Sequence, residues 1–370
     1  MRFSGRLPNE IRRNALADLL ARKRSTSASI IDLTESNPTH AGIRYPGGLV
    51  QALANEASIL YEPEAFGLPA ARDVIARSHN VVRDRVILTA STSEAYSWLF
   101  KLLCDPGDEV LIPRPSYPLF DYLAALESVN VRHYGLFYDH GWFIDFHTLE
   151  QAIGERTRAL VLVNPNNPTG HFIKHHEMAR LREFGLPIVS DEVFRDYRIA
   201  PSPESLLSLQ GEQDTLTFTL NGLSKTVGLP QMKLAWMVAG GPPAELNQAL
   251  ERLEIIADTY LSVGTPVQCA VESLLAARET VQSQIMSRMR KNLNVLRSSG
   301  LPALDIEAGW YAIARLEEGA ELQLLEKENV LVQPGYFYDF DNPAYAVISL
   351  LTPPADFEEG IRRIVRSQHG

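Results

Sequence analysis

Lys225 stands between serine and threonine in NGLSKTVGLPQMK (221–233), just after the apolar, β-branched run TLTFTL (215–220). An amine at a strand end becomes a nucleophile or base when its surroundings lower its pKa, whereas a surface lysine only carries charge. Asp191 closes a second such run in VSDEVF (189–194). A carboxylate there needs a cation or hydrogen bonds, unless it caps a helix. After a third run, two prolines and a glycine in NPNNPTG (164–170) fix a turn that presents amide side chains, as a plain turn would too. After a fourth, TASTSEAYSWLF (89–100) leads small hydroxyl residues into a helix. Such a start offers N–H and hydroxyl groups to a phosphate, or simply an N-cap by Ser91 or Ser93. Read singly, each segment has an ordinary alternative.

The elements that must position these groups follow from the pattern around them. Strand-like runs at 86–90, 109–113, 158–163, 186–190, 215–220 and 234–239 alternate with helical stretches. That alternation predicts βαβ units and a mostly parallel sheet flanked by helices, with ligands gathered at the carboxyl ends of the strands. A helix is expected over 9–24 and a short strand over 30–34. Beyond 240 the pattern predicts long helices over 243–260 and 266–298, strands near 310–316, 329–333 and 345–350, and a last helix over 355–367. The expected fold is α/β: a large domain, 46–270, and a smaller α+β domain built from both chain ends, 1–45 and 271–370.

Composition narrows the partners. The 370 residues carry a formal net charge of −10, which argues against nucleic acid, because binding there rests on neutralising phosphates. The basic cluster Arg22, Lys23, Arg24 reads as a solvated helix end. Two cysteines, Cys104 and Cys269, form no disulfide framework, so a reducing cytoplasm is expected. Scattered charge in the first 20 residues does not suit a signal peptide, and no apolar run approaches the ~18 residues of a membrane span. The adjacent histidines of KHHE (174–177) lack the spacing of metal ligands, and neither a phosphate-binding Gly-rich fingerprint nor a G-x-S-x-G elbow occurs.

In this order and at these spacings, the four segments resemble the class I/II aminotransferases of the type I pyridoxal-phosphate fold, from IDLTESNP (31–38) to the last helix. The resemblance implies that Lys225 forms a Schiff base with pyridoxal 5'-phosphate and then moves a proton. Asp191 would pair with the pyridine nitrogen, keeping the ring an electron sink. Asn167 would bond the phenolic oxygen and lie near the substrate carboxylate. Tyr117 of PSYP would stack on the ring, and Ser91, Thr92 and Ser93 would hold the phosphate. Tyr61, in YEPEAFGLPAAR, would reach the phosphate of a neighbouring subunit, which implies a homodimer with shared active sites.

Four positions depart from the family pattern. Lys233 replaces an arginine that forks onto the phosphate, keeping the charge without the bidentate geometry. Phe194 replaces a tyrosine that donates to the phenolic oxygen. Val347, in YAVISLL (345–351), replaces the arginine that grips the α-carboxylate, and Ser36 replaces a glycine in the substrate loop. Arg44, Arg195, Arg315, Tyr336 and Tyr338 are the conceivable substitutes for the missing arginine.

Transamination between an amino acid and a 2-oxo acid is the leading expectation. A lyase, decarboxylase or cyclase on the same fold is the alternative, since fold alone does not choose the bond that breaks. A regulator carrying this domain as a sensor is disfavoured, because the resemblance starts within the first 30 or so residues and the charge is acidic.

Overall fold

The computed structural model describes residues 3–8 and 14–368. The strands in chain order are β1 (Ile31–Asp32), β2 (Val86–Thr89), β3 (Glu109–Arg114), β4 (Asn130–Tyr138), β5 (Trp142–Ile144) and β6 (Thr157–Val163). They continue with β7 (Ile188–Asp191), β8 (Thr217–Gly222), β9 (Ala235–Gly240), β10 (Tyr311–Arg315), β11 (Val330–Leu331), β12 (Gln333–Pro334) and β13 (Tyr345–Ser349). Eight of them form one sheet in the order β2-β9-β8-β7-β6-β3-β4-β5. The central pairs β4–β3, β3–β6, β6–β7 and β7–β8 are parallel, while β9 and β5 run antiparallel to their neighbours.

Continuous apolar runs form these strands because both faces are covered. Along β6, Leu160 and Leu162 enter one core cluster, while Ala159, Val161 and Val163 enter another on the opposite face, the period of two that a strand imposes. Register then places the chemistry. Asp191 pairs with Val163 on one side and Leu220 on the other, so the ends of β6, β7 and β8 lie abreast. Ala235 pairs with both Gly222 and Thr89, which brings the end of β2 to the same edge. All four polar segments leave the sheet there.

The chain ends meet in smaller sheets. β1 pairs with β11 in parallel, Ile31 opposite Val330, and β10, β13 and β12 form an antiparallel sheet. The helix Pro354–Gln368 buries Phe357, Ile361 and Ile364, the i, i+4, i+7 stripe of an amphipathic helix. One cluster joins the two bodies, with Leu111 and Leu160 of the large sheet alongside Trp310 and Val347 of the small one.

The expected helix over 9–24 runs Ala15–Ser25, capped by Asn14, whose Oδ1 accepts from the Ala17 N–H at 2.8 Å; residues 9–13 lie outside the described residues. The expected helix over 266–298 is two helices, Thr265–Ala276 and Arg278–Ser298, parted at Ala277. β4 and β5 were not expected. Among the described residues, no helix is long and apolar enough to cross a membrane, and no cluster of three metal-ligating side chains forms.

Candidate active site

Lys225 lies on the single helical turn Leu223–Thr226 that follows β8. Asn221 holds that turn: its Oδ1 accepts from the Gly222 N–H at 2.7 Å and the Thr226 hydroxyl at 3.0 Å, and its Nδ2 donates to the Glu192 carbonyl at 3.2 Å. From beneath, the Tyr197 hydroxyl donates to the Lys225 carbonyl at 2.6 Å. The amine is thereby aimed over two rings, 4.6 Å from the centroid of Trp310 and 5.2 Å from that of Phe194. Removal from water lowers its pKa from 10.5 to about 8, opposed by the attraction of Asp191. The group is therefore poised between acid and base near neutrality.

Asp191 ends β7, and its carboxylate accepts from the Val193 N–H and the Tyr96 hydroxyl, both at 3.2 Å. The Val193 bond is a local turn rather than the start of a helix. Burial raises its pKa from 3.8 to about 6, against the pull of those two donors and of Lys225. The neighbouring Glu192 has a separate role. Ser208, the Leu209 N–H and Arg195 hold it away in a buried network.

The helix Thr92–Leu103 begins with Ser91 as N-cap, its hydroxyl accepting from the Glu94 N–H at 3.1 Å. The cap reading of Ser91 is thus correct, and the Thr92 and Ser93 N–H groups remain at the helix start, where no helix carbonyl reaches them. In the turn after β6, Asn164 and Asn166 are structural. Asn164 bonds the Ile173 N–H and the Leu206 carbonyl, and Asn166 accepts from the Thr169 hydroxyl. The buried Asn167 amide oxygen has no protein partner, as is true of the Asn166 amide nitrogen, but of the two only Asn167 lines the cavity formed here. Gly170 closes the turn at φ +71°, where a Cβ would come within 2.3 Å of the Ala308 carbonyl oxygen.

These segments enclose a cavity of about 310 Å³, at the lower end of the range for small-molecule sites. Ser36, Thr92, Tyr117, Asn167, Asp191 and Lys225 line it, with Phe194 and Tyr311. An amine, a carboxylate and an amide oxygen free to accept, around one cavity, suit a flat ring compound that carries an aldehyde, a basic nitrogen and a hydroxyl, such as pyridoxal phosphate. Other expected residues stand outside the lining. Ser91 and Ser93 lie at the helix start, and Lys233 is exposed, with φ +52°. Tyr61 is 80% exposed and borders a separate crevice with Glu62 and Ser262.

Val347 is fully buried in β13, between Ile313 and Gln333, away from the cavity. None of the conceivable substitutes lines the cavity either. Arg195 is spent on Glu192, Gln210 and His79; Arg315 lies over the Tyr345 ring; Arg44 is exposed; Tyr338 donates to Gln333; and Tyr336 is half exposed. Sequence reasoning missed three residues. Tyr96 could have been found, because it lies four residues after Thr92 and so on the same helix face. Trp310 and Tyr311 carry no local signal, since only the packing of residues 308–311 against Phe194, Tyr197 and Arg198 beyond β7 brings them to Lys225.

The family model for aminotransferase class I and II matches residues 30–364. The glutamate-pyruvate aminotransferase AlaA of Haemophilus influenzae is 26% identical, over 91% of this chain and 90% of its own length. The alanine aminotransferase of Mycobacterium tuberculosis is 26% identical, over 93% of this chain and 86% of its own length. Among solved structures, an alanine aminotransferase from Pyrococcus furiosus superposes with a TM-score of 0.87 over the whole of both chains at 24% identity. An aspartate aminotransferase from Thermotoga maritima does so with a TM-score of 0.84 at 20% identity, again over the whole of both chains. At these identities the structures speak for the fold, while the family match spans nearly the whole sequence: the chain belongs to the class I and II aminotransferases.

Proposed function

We propose that the protein is a pyridoxal-phosphate-dependent aminotransferase that moves an amino group between an amino acid and a 2-oxo acid, with Lys225 as the residue that anchors the coenzyme. The reading rests on one observation above all: Lys225, Asp191 and the unpartnered Asn167 amide line the same cavity. Pyridoxal phosphate, when bound, supplies an electron sink for the bond broken at the amino-bearing carbon.

The chain's own groups do the rest. Lys225, its amine pKa lowered to about 8, takes and returns a proton near neutral pH. Asp191 holds a positive charge at the ring nitrogen, and the Tyr96 hydroxyl orients its carboxylate. Asn167 bonds the ring oxygen, Tyr117 covers a ring face, and Thr92 with Ser91 and Ser93 receives the phosphate at the helix start. Lys233 supplies a cation to the phosphate, and Ser36 faces the substrate. Tyr61 serves the neighbouring copy of a homodimer. The exposed run Ile59, Leu60 and Tyr61, at 88%, 57% and 80%, supports an interface at that place. The division into a coenzyme domain, 46–270, and a smaller domain from 1–45 and 271–370 belongs to the same proposal, as does a cytoplasmic location.

A panel of amino donors mixed with coenzyme-loaded protein tests the reading, with the coenzyme absorbance followed. Conversion by at least one donor, reversed by a 2-oxo acid, is the expected result. Ammonia and 2-oxo acid released from one amino acid without an acceptor would instead favour lyase chemistry.

A further inference from the structure

A second cavity, of about 400 Å³, lies against the asparagine turn. Thr169 of that turn lines it, while Asn167, two residues earlier, lines the cavity of Lys225, so the turn is a wall shared by both. His171 borders the second space from the end of the turn. It is 2% exposed, and neither ring nitrogen makes a hydrogen bond among the described residues. Trp142 of β5 lines the same cavity at 6% exposure, and its indole N–H is likewise without a bond among the described residues. Buried polar atoms rarely stand so, because each has given up its bonds to water for nothing.

The nearby carboxylates do not satisfy His171. Glu177 and Glu307 approach its ring only to 3.6 and 4.0 Å. Glu177 accepts instead from the Ile144 and Lys174 N–H groups. Glu307 accepts from the Lys174 ammonium, the Ser205 hydroxyl and the Phe172 and Ser202 N–H groups. Burial and the Lys174 charge hold the imidazole pKa well below its ordinary value, so the ring is neutral, with one N–H to give and one lone pair to fill. An occupant must therefore both donate and accept. The lining also carries exposed charges of both signs, Arg297 3.9 Å from Asp305 and, in addition, Glu204, with Phe143 and Ile306 as apolar wall. A lone cation or anion meets a repelling group there, whereas a zwitterion finds a partner for each end.

We propose that this cavity is a second binding site, separate from that of Lys225, for an amino acid with an apolar side chain. The ammonium gives the His171 lone pair a donor, and the carboxylate gives the indole and imidazole N–H groups an acceptor. Leucine, 4-methylpentanoate and 3-methylbutylamine form a matched series with both charged groups, the carboxylate alone and the ammonium alone. Each is titrated calorimetrically near pH 7 into coenzyme-loaded protein after borohydride has fixed the coenzyme to Lys225, so that the first cavity is filled and nothing turns over.

Leucine is expected to saturate a site and to bind about tenfold or more tightly than either half, since each half forfeits charge-assisted bonds. His171→Phe and Arg297→Gln should each weaken leucine by about three- to tenfold. Arg297 is exposed, so its variant keeps the fold even if the buried one does not. No saturable binding of leucine, a half that binds as tightly as the whole, or binding that neither variant weakens overturns the proposal. If borohydride fixes no coenzyme, the aminotransferase reading fails, and the same titrations of untreated protein still decide the present one.

Discussion

Replacing Lys225 by methionine should stabilise the coenzyme-free protein at neutral pH, although it removes the anchoring group. The amine lies in a partly buried setting where its pKa falls from 10.5 to about 8. At 1.36 kcal/mol per tenfold change in proton affinity, that drop corresponds to about 3 kcal/mol against the charged form. Trp310 and Phe194, whose ring centroids lie 4.6 and 5.2 Å from the amine, return roughly 1 kcal/mol to the cation. Methionine has similar length and no charge, so the net gain for Lys225→Met is about 2 kcal/mol at pH 7.

The sign of the pH dependence follows from the lowered value. Between pH 8 and 10.5 the unfolded chain still binds the Lys225 proton and the native chain does not, so wild-type stability rises with pH across that window. The advantage of Lys225→Met is therefore full below about pH 8 and fades by about pH 10.5. Urea unfolding of both coenzyme-free proteins at pH 7, 8.5 and 10 measures it. A variant less stable than wild type at pH 7, or a gap that widens with pH, would refute the assigned burial of the amine.

Three further outcomes are expected. Asp191→Ala should lower the single-turnover rate with a good donor by about 10²–10³-fold, the effect of breaking a buried charge pair, as followed by stopped-flow absorbance. Gly170→Ala combines a left-handed φ of +71° with a Cβ 2.3 Å from the Ala308 carbonyl oxygen. It should cost about 2–5 kcal/mol in urea unfolding. Lys233→Arg should tighten coenzyme binding roughly three- to tenfold in equilibrium dialysis, because a guanidinium forks onto phosphate where an ammonium makes a point contact.

What the sequence disclosed was whatever local chemistry determines. Strands β2, β3 and β6 to β9 are long apolar runs, and the segments after four of them announce themselves by prolines, asparagines and hydroxyls. β4 escaped because Arg132 and His133 interrupt its apolar residues and much of it is exposed, as befits a strand near the sheet edge. The break at Ala277 escaped because LLAARETV contains no glycine or proline. In the site, Lys225, Asp191 and Asn167 were legible from their motifs. Trp310 and Tyr311 were not, because residues more than 80 positions from Lys225 reach it through tertiary packing alone.

The contact of Gly170 with Ala308 has a mechanical consequence. Gly309 donates its N–H to the Tyr197 carbonyl at 3.0 Å, and Tyr197 in turn latches onto the Lys225 backbone at 2.6 Å. The 308–309 corner thus clasps both the asparagine turn and the lysine turn. Any hinge movement of the antiparallel sheet drags those two turns along as one rigid piece. The spacing between Asn167 and Lys225 is preserved through such a swing, and the segment of Tyr117 follows too, because the Ser116 N–H donates to the Tyr338 carbonyl at 3.0 Å and Arg114 to the Asp339 carbonyl at 3.0 Å.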